Sequence, residues 1–232
     1  MIENARKSFL TKRTALIVAG VLLAIFLFGR NDVTKPAATP ANSSATDTAS
    51  TEEVVELGAH GIGEGKTGVM LMEYGDFQSV ASGAYQPMMQ QVMDKYGDQL
   101  KFVYRDFPVQ SNAASMAAQR AANAADDQSM FWRMRELLYA RQAAWKDNPT
   151  PESIFEGYAK ELGMDVERYK QVVSSKAAGN AITADIQAGQ KQQVTASPTL
   201  FINDKLVPAN IDLAGLTKLI DEAIASNYQP AS

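Results

Sequence analysis

The sequence predicts an α/β fold in which a β-α-β unit and a later β-β-α unit are separated by an all-helical insertion. The first unit is indicated by an apolar, glycine-bounded run at 69–74, an amphipathic segment and a second apolar run at 101–105. Residues 111–192 then show helical patterns and no strand character. Two short apolar runs joined by a tight Asn203-Asp204 turn, followed by an amphipathic segment, indicate the second unit.

Composition excludes several classes of chemistry before any motif is considered. The chain has 232 residues, a net charge of -4, one histidine and no cysteine. The absence of cysteine excludes disulfides, thiolate metal sites, lipidated cysteines and thiol chemistry, and one histidine cannot build a multi-histidine metal centre. That histidine, His60, lies in a glycine-rich stretch and is expected to be an ordinary loop residue. The mild acidity indicates no nucleic acid partner, and no cofactor is expected.

The first 53 residues are expected to lie outside the folded domain. An uninterrupted run of apolar and small residues at 14–29 follows four basic residues. This pattern predicts a single-pass membrane anchor, with residues 1–13 in the cytoplasm and the folded domain outside the cell membrane. Because sixteen residues is short for a spanning helix, a cleaved signal peptide is the alternative. Residues 30–53 are rich in Pro, Ala, Ser and Thr and predict a disordered linker.

The folded domain is predicted to be interrupted by its helical insertion. Residues 54–110 and 193–232 form the main domain, and residues 111–192 form the inserted helical domain. In the first part, the helix between the two strands is expected over 82–96, with Gly97 as its stop.

The remaining elements complete the predicted order. The insertion contains five helical segments, at 113–125, 129–141, 151–162, 166–174 and 178–192. The final part of the chain holds strands at 199–202 and 205–207 and a helix at 212–226. This order is that of a thioredoxin fold with an all-helical domain inserted after the second core strand.

Three segments carry a more specific resemblance. The first is VMLMEYGDFQSVASGAYQPMMQQVMDKYGDQLKFVYRDFPV, the second is AAQRAANAADDQSMFWRMRELLYARQ, and the third is VTASPTLFINDKLV. Together they resemble the DsbA family, which has an acidic-aromatic strand end, then G-D-F-x and C-x-x-C at a helix start, a helical insert, and a T-P-T segment before the last hairpin. The resemblance spans residues 68–226 and implies a thiol:disulfide oxidoreductase that serves the oxidative folding of exported proteins.

Serines stand where the resemblance places the two catalytic cysteines. Ser79-Val80-Ala81-Ser82 matches the C-x-x-C positions at the start of the helix. Free N–H groups and the positive end of the helix dipole would stabilise a thiolate there. A serine hydroxyl neither ionises near neutral pH nor forms a disulfide, so this chain cannot exchange disulfides. A serine at this point is expected to cap the helix, and no motif provides the base that a hydrolytic Ser79 would need.

The resemblance also assigns five further site residues. It implies that the Ser197-Pro198 peptide is cis, that it faces Val80 and Ala81, and that the residue before the proline pairs with substrate backbone. The alternative is an ordinary proline at a strand start. Glu73, at the end of the central strand, matches a buried acidic residue that handles protons for the second cysteine. Burial would disfavour its charged form, and the alternative is a partly exposed structural carboxylate.

Two hypotheses for the function remain open at this stage. In one, the chain is a redox-dead Cys-to-Ser form of a membrane-anchored oxidoreductase whose active form would pass electrons to a quinone-linked membrane thiol oxidase. In the other, the protein is naturally cysteine-free and acts as a binding module or chaperone. Both hypotheses share the same partners, which are exported polypeptides that are unfolded or contain cysteine. The residue inventory weighs against a hydrolase or a metalloprotein on the same scaffold.

Overall fold

The structure is a computed structural model that describes residues 60–108 and 113–227. The predicted anchor at 14–29 and linker at 30–53 lie outside these described residues. Within the described ranges, no helix is both long enough and apolar enough to cross a membrane.

A five-stranded mixed sheet forms the centre of the domain. The strand order is β1-β3-β2-β4-β5, with β2 and β3 parallel and the other neighbours antiparallel. The strands are β1 His60–Ile62, β2 Val69–Gly75, β3 Leu100–Asp106, β4 Thr199–Ile202 and β5 Lys205–Leu206. The two central strands, β2 and β3, are almost entirely buried, as expected for strands covered on both faces. The predicted fold class is confirmed.

The first strand corrects the prediction for His60. His60 lies in β1, opposite Tyr104 of β3, and is 4% exposed. Its ring stacks on that of Phe131 with 3.7 Å between centroids. The expectation of an ordinary loop residue is therefore wrong, because a three-residue strand among glycines has no periodicity to detect and its burial comes from residues distant in sequence.

The first helix, α1, spans Val80–Tyr96. It begins two residues earlier than predicted because Ser79, rather than Ser82, is its N-cap. Met89 and Val92 are fully buried on the face of α1 that packs in the core with the sheet and the last helix. Gly97, at φ 51°, ends the helix as the sequence predicts.

The insertion between β3 and β4 consists of helices, as predicted. They are α2 Ala113–Asp126, α3 Phe131–Ala140, α4 Gln142–Trp145, α5 Glu152–Glu161, α6 Val166–Val173 and α7 Lys176–Lys191. The final helix, α8, spans Leu213–Asn227. The short helix α4 was not predicted as a separate element. It is held by Trp145, which is fully buried and donates its indole N–H to the carbonyl of Leu138 at 2.9 Å.

Candidate functional site

Ser79 caps the helix that the resemblance places at the site. Its backbone is extended, with φ -67° and ψ 120°, and its Oγ accepts a hydrogen bond from the Ser82 N–H at 3.2 Å. The same hydroxyl donates to the main-chain carbonyl of Ser197 at 3.0 Å. Val80, which follows the cap, is 65% exposed, and Ala81 is also exposed. One hydroxyl therefore joins the start of α1 to the segment that precedes β4.

That second segment contains the predicted proline. The Ser197–Pro198 peptide bond is cis. Ser197 is nearly buried, and its Oγ donates to the carbonyl of Phe107 at 2.7 Å, which ties this segment to the end of β3. We call residues 79–82 together with residues 197–198 the mouth of the domain. The structure brings these predicted site residues together.

Ser82 differs from Ser79 in its surroundings. It is fully buried, and its Oγ has no hydrogen-bond partner among the residues that the structure describes. Its carbonyl accepts from the side-chain amide of Gln86 at 2.9 Å. A buried hydroxyl without a partner loses its hydrogen bonds to water and makes none within the protein. A thiol is a weak donor, so its burial costs less free energy. The environment of Ser82 therefore suits a thiol or a methyl group better than a hydroxyl.

Glu73 is paired with a buried cation that was not predicted from the sequence. Glu73 is fully buried on β2, and its Oε2 accepts from Nη2 of Arg135 at 2.7 Å. Arg135 is 3% exposed, and its guanidinium lies within 6 Å of four aromatic ring centroids, including those of Tyr104 and Tyr139 at 5.4 Å. Such a pair satisfies both charges inside the protein. The alternative of a partly exposed carboxylate at Glu73 is therefore wrong, and the buried carboxylate is paired with a cation.

A sequence signal for Arg135 was present. Phe131, Met134 and Leu138 are apolar at helical spacing and are fully buried in α3. Arg135 falls on that same face, four residues after the first of them. A cation on an apolar helix face needs a buried anion, and Glu73 is such a group on a strand that was predicted to be buried.

Two phenols pack beside this ion pair. The hydroxyls of Tyr104 and Tyr139 lie 3.2 Å apart and share a hydrogen bond. Burial raises the pKa of both phenols well above the usual value, and the neighbouring carboxylate of Glu73 adds to the effect. Both tyrosines are therefore neutral and serve as a structural support between the sheet and α3.

The arrangement of the mouth limits its chemistry. The proton of the Ser79 hydroxyl points to a carbonyl and not to a base, so Ser79 is not an activated nucleophile. His60 lies in β1, with Nδ1 3.2 Å from a carboxylate oxygen of Asp126 on α2. What the mouth offers is backbone at a helix start, a cis-proline segment and exposed small apolar side chains.

This fold and site define the DsbA-like class of thioredoxin-fold proteins. A family model described as Thioredoxin (Thioredoxin_4) matches residues 56–222, and the chain belongs to this thioredoxin family. Solved structures with the same fold include BdbD from Bacillus subtilis in its oxidised form, at 19% identity and a TM-score of 0.65, covering 72% of this chain and 94% of that one. Another is a thioredoxin-like oxidoreductase from Silicibacter pomeroyi, at 22% identity and a TM-score of 0.62, covering 72% and 95%.

Curated relatives cover a smaller part of longer proteins. A protein named Na(+)/H(+) antiporter NhaA 1 from Salinispora arenicola is 27% identical over 158 residues, which is 68% of this chain and 23% of the antiporter. One of the same name from Mycolicibacterium vanbaalenii is 32% identical over 163 residues, covering 66% and 24%. The chain thus spans about a quarter of the length of the antiporters it matches.

Proposed function

We propose that this DsbA-like domain binds segments of exported polypeptides, unfolded or containing cysteine, at the mouth and does so without exchanging disulfides. The observation that carries the proposal is the hydrogen bond from Ser79 to the Ser197 carbonyl, which sets the start of α1 against the cis-proline segment. In the family, this juxtaposition is where substrate backbone pairs. The chain keeps that arrangement while having no thiol for the redox step.

Two exposed apolar side chains allow a matched test of the binding site. Val80 lies in the mouth and Leu206 lies on β5, and each is 65% exposed. We expect Val80→Asp in the full chain, purified in detergent, to weaken binding of a fluorescent unstructured peptide at least tenfold. The reason is that a charge would be desolvated against the bound segment. Leu206→Asp should leave the affinity unchanged. Absence of peptide binding by the unmodified chain, or an equal effect of the two substitutions, would count against this function.

A second function, disulfide exchange, is favoured by the buried hydroxyl of Ser82. Its Oγ has no partner in the described part of the chain, and a thiol would need none. We propose that the double substitution Ser79→Cys/Ser82→Cys produces a thiol oxidoreductase, with a quinone-linked membrane thiol oxidase as its electron acceptor. The test is oxidation of a reduced peptide and reduction of insulin by the double variant. Each single cysteine variant serves as a control that can form a mixed disulfide but cannot resolve it. An inert double variant contradicts this function.

We propose further that the chain is held at the cell membrane by residues 14–29, with its N-terminus in the cytoplasm. The apolar run and the basic residues before it support this orientation. In intact bacterial cells with a permeabilised outer layer, protease added outside should degrade the folded domain, while a tag at the N-terminus should be protected until the membrane is dissolved. Protection of the domain would contradict the orientation, and release of the chain into a soluble fraction would favour a cleaved signal peptide.

A further inference from the structure

The geometry points to Gln142, in α4 of the helical insertion, as a positioning residue of the mouth. We infer that its side-chain amide fixes the loop before α1 and thereby holds Ser79 against Ser197. The inference rests on the proposed polypeptide-binding function for its effect on affinity. This role belongs to a residue of the helical insertion, and the DsbA resemblance assigned no site residue there.

The side chain of Gln142 contacts two carbonyl oxygens of the loop before α1. Nε2 of Gln142 lies 2.7 Å from the carbonyl oxygen of Phe77 and 2.9 Å from that of Ser79. A primary amide carries two N–H groups, so one can be directed to each carbonyl. Phe77 and Ser79 lie on either side of Gln78, and Ser79 is the cap residue of α1. The side chain of Gln142 therefore restrains the backbone just before the helix.

A reciprocal contact holds the same loop from the other direction. Nε2 of Gln78 lies 2.5 Å from the carbonyl oxygen of Lys146, the residue that follows α4. The two glutamines therefore exchange side-chain-to-backbone hydrogen bonds between the loop and α4. Helix α4 is itself anchored by the buried Trp145, so the loop is tied to a segment that is packed into the insertion.

The side chain of Gln142 also packs against the first turn of α1. A Cβ placed on Gly83 would lie 3.4 Å from both Nε2 and Oε1 of Gln142, so the glutamine amide rests directly on this turn. The Gly83 N–H donates to the Ser79 carbonyl at 3.0 Å, and Gln142 donates to the same oxygen. The amide of Gln142 is therefore fixed both by packing against this turn and by its hydrogen bond to the Ser79 carbonyl.

These contacts form a continuous path from the insertion to the cis-proline segment. Gln142 donates to the Ser79 carbonyl, and the Ser79 hydroxyl donates to the Ser197 carbonyl. Removal of the first bond leaves the Ser79 carbonyl held by the Gly83 N–H alone, which loosens the cap and lets it relax away from Ser197. A binding site that must be ordered by its ligand binds more weakly than one already in place. Gln142 should therefore strengthen binding without touching the bound segment.

The test uses the full chain and three substitutions. Gln142→Met keeps the length of the side chain but removes both donors, and we expect it to weaken peptide binding three- to tenfold, the effect of about one net hydrogen bond. Gln142→Glu places a carboxylate against two carbonyl oxygens and should weaken binding at least as much. Gln171→Met changes an exposed glutamine of α6 and should have no effect. Unchanged affinity of Gln142→Met would overturn the inference.

Two further measurements separate positioning from a general loss of stability. If Gln142 acts through Ser79, then Gln142→Met should add little to the affinity loss of Ser79→Ala, whereas fully additive losses would contradict the path. Hydrogen exchange of the amides of residues 82–83, whose partners are on Ser79, should be faster in Gln142→Met and unchanged in Gln171→Met. The exchange measurement needs no peptide, so unchanged exchange overturns the positioning role even if the unmodified chain binds no peptide and the proposed function fails.

Discussion

The hydroxyl of Ser79 donates a hydrogen bond to the carbonyl of Ser197 at 3.0 Å and accepts one from the Ser82 N–H at 3.2 Å. The hydroxyl of Ser82, three residues further on, is buried and has no partner among the described residues. A thiol at position 79 would make both of the Ser79 bonds weakly, because sulfur is a poor donor and acceptor. The two serines are therefore not equivalent replacements: Ser79 makes contacts that depend on oxygen, and Ser82 makes none with its side chain.

Ser79→Ala should lower the free energy of unfolding by about 1–2 kcal/mol. The substitution removes the N-cap acceptor of α1 and the link to the segment before β4. Urea denaturation monitored by tryptophan fluorescence measures the change, and Ser175→Ala, which removes the N-cap of α7 without touching the mouth, is the matched control. We expect both to be destabilised, but only Ser79→Ala should also change peptide affinity. An affinity change of the same size in Ser175→Ala would contradict a local role.

Ser82→Ala should leave the unfolding free energy unchanged or raise it by about 1 kcal/mol. The hydroxyl is desolvated without compensation, and its removal ends that cost while leaving only a small gap. Ser82→Cys should behave in the same way. A marked loss of stability in either variant would show that the hydroxyl has a partner, and the interpretation of position 82 as a thiol-like environment would be wrong.

The buried ion pair between Glu73 and Arg135 should be essential to the fold. Arg135→Met leaves an uncompensated carboxylate on the central strand, so we expect a loss of about 3–5 kcal/mol in unfolding free energy at neutral pH. The double variant Glu73→Gln/Arg135→Met removes both charges and should recover a large part of that loss. If the unfolding free energy of the double variant stays as low as that of Arg135→Met, then the aromatic packing around the guanidinium, and not the charge, stabilises the fold.

An exposed pair provides the comparison for this experiment. Arg141 and Glu161 form a bidentate ion pair with two hydrogen bonds, but their side chains are 43% and 48% exposed. Because water and salt screen such a pair, Arg141→Met should cost at most about 1 kcal/mol. A cost similar to that of Arg135→Met would contradict the view that burial decides the difference.

Sequence patterns predicted the elements whose signals are local. The apolar strand at 69–74, the helix that ends at Gly97 and the order of the helices in the insertion were readable from periodicity and end signals. The positions of Ser79 and Pro198 followed from the DsbA resemblance. Non-local contacts were not readable in this way. The strand containing His60 depends on pairing with Tyr104. The helix face of Arg135 indicated that it needs a buried anion, but no spacing identified Glu73, 62 residues earlier, as that anion. Such contacts leave no fixed spacing in the sequence.

A buried acidic cluster lies away from the mouth, where β3 meets the insertion. Asp106 is fully buried, accepts from the side-chain amide of Asn123 at 2.5 Å through Oδ2, and has no partner for Oδ1 within the described ranges. Asp185, also fully buried, accepts from Arg105 at 2.8 Å and from the Asp106 N–H at 2.9 Å. Burial raises the pKa of Asp106 to about 7, His60 opposes the rise and Asp185 adds to it.

This raised pKa predicts the direction in which stability changes with pH. In the unfolded chain Asp106 ionises near its ordinary pKa, whereas the folded protein retains the proton up to about pH 7. Between these values the folded state binds more protons than the unfolded state, so the contribution of Asp106 to stability is greatest at low pH and is lost as the pH rises towards 7. Its full size is at most about 4 kcal/mol.

Asp106→Asn tests this contribution because the amide resembles the protonated acid and does not titrate. Urea unfolding of both proteins from pH 4 to pH 8 isolates the effect as a difference, in which the other titrating groups largely cancel. We expect the variant to gain stability relative to the unmodified chain as the pH rises, by about 1–3 kcal/mol between pH 5 and pH 8. Asp204→Asn, at an exposed residue in the turn between β4 and β5, should show no such trend. A difference that is flat with pH, or that falls as the pH rises, would mean that Asp106 is charged in the folded protein and stabilised by the cations around it.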